Sequence, residues 1–139
     1  MSELGLKLDA EALNGFFARA FPEGGDLAQV LEVTPGRVLI RQAYVARSLR
    51  PGGLISGPTQ MGLADRAAYA LVLAHIGEVE MAVTTSLTIH FLRGAKPGDL
   101  YAEAVLLKLG RRIATADVLM WTESRERAAS KATVAYAIP

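Results

Sequence analysis

Residues 59–76 run TQMGLADRAAYALVLAHI, with Ala, Leu, Met and Val on nearly every side of a helix. A helix that is apolar all round has to be buried. Ser56-Gly57-Pro58 supplies its start, with Ser or Gly as the cap and proline in the first turn, where a missing N–H costs nothing. Gly77 closes it. These signals predict a central helix over about 57–76, and the rest of the chain must cover it.

What surrounds this segment is mostly strand. Ser86, Thr88 and His90 alternate with Leu87, Ile89 and Phe91, a period of two. Further runs over 99–109, 113–123 and 128–138 are separated by Gly110-Arg111-Arg112 and by a charged tip at 124–127. Upstream, runs over 28–34 and 37–47 flank a Pro35-Gly36 turn. Before them, Asp9 can cap a short helix over about 9–21, in which Leu13, Phe16, Phe17, Ala20 and Phe21 form a stripe. Turn signals at 22–25 and 51–53 punctuate one domain spanning 1–139 rather than a linker between two. The predicted class is α+β, an antiparallel sheet wrapped around one long helix.

Composition narrows the functions available. With no cysteine among 139 residues, a disulfide framework, a thiolate metal site and a cysteine nucleophile are excluded. Two distant histidines without acidic company make no metal motif. A net charge of +1 offers no electrostatic reason to expect nucleic acid or a membrane surface. No run approaches the length needed to span a bilayer, and the N-terminus carries acids early, unlike a secretory signal, so a cytoplasmic protein is expected. An apolar fraction of 51% suggests that some surface is covered by self-association.

Asp65 is the chemical outlier, a carboxylate inside the apolar helix. Buried carboxylates need partners. Asp65 either faces water at the helix edge, pairs with Arg66 or another arginine, or lies in a cleft as a base or nucleophile. The head of the same helix offers free N–H groups and a positive dipole end, suited to an anion or a developing oxyanion. Gly57 lets a ligand approach the backbone closely. His75 is expected as a core or dipole-paired histidine, and His90 as structural. Gly110-Arg111-Arg112 is either a basic turn or an anion contact. No Gly-x-Ser-x-Gly elbow, phosphate loop or dinucleotide glycine pattern occurs.

Two stretches carry a family resemblance. SGPTQMGLADRAAYAL resembles the signature helix of hotdog-fold acyl-CoA thioesterases of the phenylacetyl-CoA (PaaI-like) type, and LTIHFLRGAKPGDLYAEAVLLKLGRR resembles that family's downstream strands and turns. The resemblance implies a six-stranded antiparallel sheet around one helix. It also implies homodimers or dimers of dimers with the active site at the subunit interface, and no cofactor. Asp65 then takes the place of the catalytic carboxylate, and the Gly57 N–H polarises the thioester carbonyl from the other subunit. Tyr69, four residues beyond the acid, takes the place of a water-positioning hydroxyl. Gly110, Arg111 and Arg112 fall where relatives contact the CoA nucleotide. Met61, Ala68, Leu71 or Val72 would border the acyl group.

The sequence departs from the family pattern at three places. Ser56 stands for the usual His, Pro58 for the second Gly, and Arg50 for an Asn or Gln. Arg50 could pair with Asp65 across the interface or bind an anionic acyl group. The expected activity is hydrolysis of a small, aromatic or medium-chain acyl-CoA. The alternatives are a non-catalytic acyl-CoA binder or sensor, and an enoyl-CoA hydratase or dehydratase. No histidine lies five residues after Asp65, which counts against the last.

Overall fold

The structure, a computed structural model, describes residues 5–23 and 27–139. Part of the expected turn at 22–25, and the first four residues, lie outside them. The described residues include two α-helices, α1 (Ala10–Ala20) and α2 (Gly57–Ile76). Around them run β1 (Ala28–Thr34), β2 (Arg37–Gln42), a two-residue pair β3 (Leu49–Arg50) and β4 (Leu54–Ile55), β5 (Val83–Phe91), β6 (Leu100–Leu109), β7 (Ile113–Trp121) and β8 (Ser130–Ala137). The expected run over 37–47 stops at Gln42. There the backbone leaves the ladder, and the Tyr44 N–H binds the Asp99 carboxylate at 2.8 Å instead. Positive φ at Gly52 and Gly53 turns β3 back onto β4.

The six long strands form one antiparallel sheet in the order β1-β2-β6-β7-β8-β5. Its inward residues alternate along each strand, as in Ala132, Val134 and Tyr136 of β8. They meet α2, whose residues Ala67 to His75 are all buried. This fulfils the expectation of a helix enclosed by a sheet. The N-terminal half differs, because Pro58, Met61 and Gly62 are exposed or partly exposed there and Asp65 is half-buried. His75 is a satisfied core histidine, with Nδ1 2.9 Å from the Leu71 carbonyl and Nε2 accepting from the Gly36 N–H at 3.0 Å.

α1 is capped by Asp9, which accepts from the Ala12 N–H at 2.9 Å. It closes one end of the core with Leu13, Phe16 and Phe17. The Asn14 carboxamide binds both the N–H and the carbonyl of Val30, beside a bulge in β1.

Outside the sheet, Glu103 accepts from Arg37 at 2.6 Å and from Arg125 at 2.7 Å. This ties β2 and the segment after β7 to β6. Burial alone disfavours the Glu103 carboxylate, but the hydrogen bonds from Arg37 and then Arg125 outweigh it and hold its pKa below the ordinary value. A carboxylate with a depressed folded pKa stabilises the protein above its unfolded pKa, near 4.5, and that stability is lost as pH falls through the folded value. Thermal melts from pH 7 to pH 3 should therefore show Glu103→Gln less stable at neutral pH by about 1–2 kcal/mol. The gap from wild type should close in acid. A constant gap would remove Glu103 from the acid response.

Candidate functional site

Asp65 projects from α2 into a cavity of about 240 Å³ walled by Phe21, Tyr69, Val83, Thr84 and Tyr136. Its carboxylate accepts from two hydroxyls. Tyr136 donates at 2.8 Å, and Thr84 of β5 donates in a short hydrogen bond. The Tyr136 hydroxyl also lies 3.2 Å from the Asp65 carbonyl. Burial raises the Tyr136 pKa far above the ordinary phenol range, and the Asp65 charge reinforces this. The phenol is therefore a donor at every working pH. Among the described residues Asp65 makes no ion pair. Arg66 turns away, its guanidinium 4.0 Å from the Phe21 ring centroid and 4.9 Å from that of Phe17.

Thr84 and Tyr136 are not marked as site residues by any motif in the sequence. Tyr136 continues the inward alternation of β8 and is legible in principle. Thr84 is not, because strict alternation from Leu87 and Ile89 puts it on the outward side. A bulge at Thr85 shifts the register, so that Thr84 pairs with Tyr136 while Ser86 pairs with Ala135. Thr84 is thereby turned toward Asp65. Tyr69 lines the same cleft as Asp65. Its hydroxyl donates to the Glu80 carbonyl at 3.0 Å, and its ring stacks on Tyr136 at 5.7 Å. It braces the residue that holds Asp65. Tyr136→Phe should keep that stack and lose one hydrogen bond to a charged group. The expected loss in stability is about 1–3 kcal/mol, read from thermal melts. An unchanged melt would show that the bond to Asp65 adds nothing to the fold.

The head of α2 opens into a second cleft, of about 390 Å³, whose walls include Arg50, Ile55, Gly57, Gln60, Phe91 and Arg93. Ser56 is the helix cap, with its Oγ accepting from the Thr59 N–H at 3.2 Å. Pro58 has no N–H. Among the described residues the Gly57 N–H has no acceptor, so it is the free donor of the first turn. A Cβ on Gly57 would lie 3.2 Å from the Phe91 ring, so the approach here is close. Arg50 sits at the rim, where its guanidinium donates to the Pro51 carbonyl at 2.9 Å.

Asp65 and Gly57 lie in different clefts. Eight residues separate them on one helix, a rise of roughly 12 Å. Met61 lies between them on the outer face, 41% exposed. Ala68, Leu71 and Val72, expected beside an acyl group, are instead sealed in the core because the sheet covers that half of the helix. The Gly110-Arg111-Arg112 turn joins β6 to β7, and its arginines border a hollow of about 220 Å³ with Ile138 and Pro139. The register Thr84–Tyr136–Ala114 puts this turn at the Asp65 end of the sheet.

A six-stranded antiparallel sheet packed around one long helix is the architecture of the α+β hotdog class. The sequence matches the thioesterase superfamily over residues 52–129, and the chain belongs to that family. No curated protein matches it. Among solved structures, a candidate thioesterase from Silicibacter sp. TM1040 is 38% identical, with a TM-score of 0.90 over 99% of this chain and 96% of that one. The phenylacetic acid degradation protein PaaI from Thermus thermophilus, solved in a mutant form, is 25% identical (TM-score 0.73, 85% of this chain and 99% of that one). Zebrafish thioesterase superfamily member 2 shares the fold at 19% identity, with a TM-score of 0.83 over 96% of this chain and 100% of that one. Family membership supports a thioester-hydrolysing activity in general. No described helix is long and apolar enough to cross a membrane.

Proposed function

We propose that the protein is an acyl-CoA thioesterase that works as a homodimer or a dimer of dimers. In each site Asp65 of one protomer faces the Gly57 N–H of the other. The observation that carries this reading is the separation of the two groups. Asp65 is held by two hydroxyls in one cleft and the free N–H lies in another, so one chain presents two half-sites. The edge strand β5 is the proposed seam. It borders both clefts through Thr84 and Phe91, and its outer side is exposed. An unprotected sheet edge is a template for pairing.

In the proposed reaction the thioester carbonyl oxygen accepts from the Gly57 N–H, where the helix dipole favours developing negative charge. Asp65 takes a proton from water as the water oxygen bonds to the carbonyl carbon. The carbon–sulfur bond then breaks, and the proton leaves with the thiol. Thr84 and Tyr136 orient the carboxylate, leaving its second oxygen for the water. In this reading Arg111 and Arg112, at the Asp65 end of the sheet, meet the phosphates of the CoA nucleotide.

A non-catalytic binder is the second reading, favoured by one observation. The first turn of α2 retains a single free donor, because Pro58 lacks an N–H and Ser56 occupies that of Thr59. Thiol release from short, medium, aromatic and long acyl-CoAs separates the two. Release identifies the acyl class. Saturable binding of the same esters without release favours the binder.

A further inference from the structure

Gln60 is 3% exposed and forms part of the wall of the cleft at the head of α2. Its Nε2 donates to the Ile55 carbonyl at 3.3 Å, while its buried Oε1 has no hydrogen-bond partner among the described residues. Turning the amide over would set two acceptor oxygens against each other, so the bond to Ile55 fixes the orientation. An unsatisfied buried acceptor is costly, because it has given up water without gaining a donor. A ligand that fills this cleft and brings a donor removes that cost.

The donor has to be one that every substrate carries. Acyl groups differ and most have none. Every thioester of CoA or of an acyl carrier protein, in contrast, has a pantetheine amide N–H two methylenes beyond the sulfur. The spacing is compatible. Gly57 and Gln60 are one turn apart, a rise of about 4.5 Å. The bond to Ile55 draws the Gln60 carboxamide back toward the helix start. Both groups therefore belong to the first turn of α2 and to the wall of one cleft. We propose that Gln60 Oε1 accepts the pantetheine amide N–H nearest the thioester, while the Gly57 N–H holds the carbonyl in the same cleft. This assignment builds on the thioesterase reading.

The test uses two short thioesters of the acyl group preferred in the CoA panel. One is the N-acetylcysteamine ester. The other is its 2-acetoxyethanethiol analogue, in which oxygen replaces the N–H. Wild type should show a kcat/KM about tenfold or more higher for the amide. Gln60→Met, of similar volume, should bring the amide down to the level of the oxygen analogue and leave the latter nearly unchanged. A wild-type ratio near one overturns the assignment. So does an equal loss on both esters in Gln60→Met, which would mean that Gln60 serves the water or the protein's own packing. Inertness of the short amide ester beside an active CoA ester also counts against it, since the contacted amide is present in both. No thiol release from any CoA ester removes the thioesterase reading itself. Release without amide preference removes only the role of Gln60.

Discussion

Asp65→Asn is expected to lower kcat for thiol release by about 10²- to 10⁴-fold, the range associated with a positioned general base. Asn keeps the size of the side chain and an oxygen that accepts from Tyr136 and Thr84, so the melting profile should stay close to wild type. The change removes the negative charge and the capacity to take a proton. Since the hydrogen-bond frame survives, loss of rate in a folded protein isolates the chemistry. Retained kcat would show that the carboxylate is not the reacting group. A large drop in melting temperature would show instead that Asp65 is mainly a structural acceptor for the two hydroxyls.

The second large effect is complementation between two inactive chains. Gly57→Val should lose about 10²-fold or more, because the new side chain crowds Phe91 and screens the N–H. If each site takes Asp65 from one protomer and Gly57 from the other, pairing this variant with Asp65→Asn builds one intact site and one doubly damaged site. A heterodimer purified through two different tags should then recover about half the wild-type rate per dimer. Recovery at that level, from parents with almost no activity, is not produced by a site contained in one chain. No recovery in a confirmed heterodimer would place both groups in one protomer and overturn the shared site. A monomeric wild type at assay concentration would do the same.

Much of the scaffold is legible residue by residue. The apolar run 67–74 requires a cover, and alternating strands are the cover available. Ser56, Gly57-Pro58 and Gly77 mark the ends of the central helix because capping and backbone freedom are local properties. Asp65 stands out because a carboxylate on that largely apolar helix needs a reason. The Ser56-to-Leu71 signature and the downstream strands point to the family that the matched region 52–129 shows.

The immediate surroundings of Asp65 belong to tertiary structure. β5 follows α2 in the chain but pairs with β8, at the far end of the sheet order, and no local pattern encodes that choice. The bulge at Thr85 reverses the inward face of β5, so Thr84 reaches Asp65 although simple alternation sends it outward. Tyr69 has the right spacing on the helix to serve the acid. Its hydroxyl donates to the Glu80 carbonyl instead, and the phenol that reaches the acid is that of Tyr136, 71 residues from Asp65 along the chain. Sequence alone therefore determined the helix, its ends and the acid, which depend on neighbours within a few turns. Only the folded sheet decided which hydroxyls hold that acid, and that the free N–H of the same helix lies in a different cleft. Those outcomes depend on strand order and register, which are set by long-range packing.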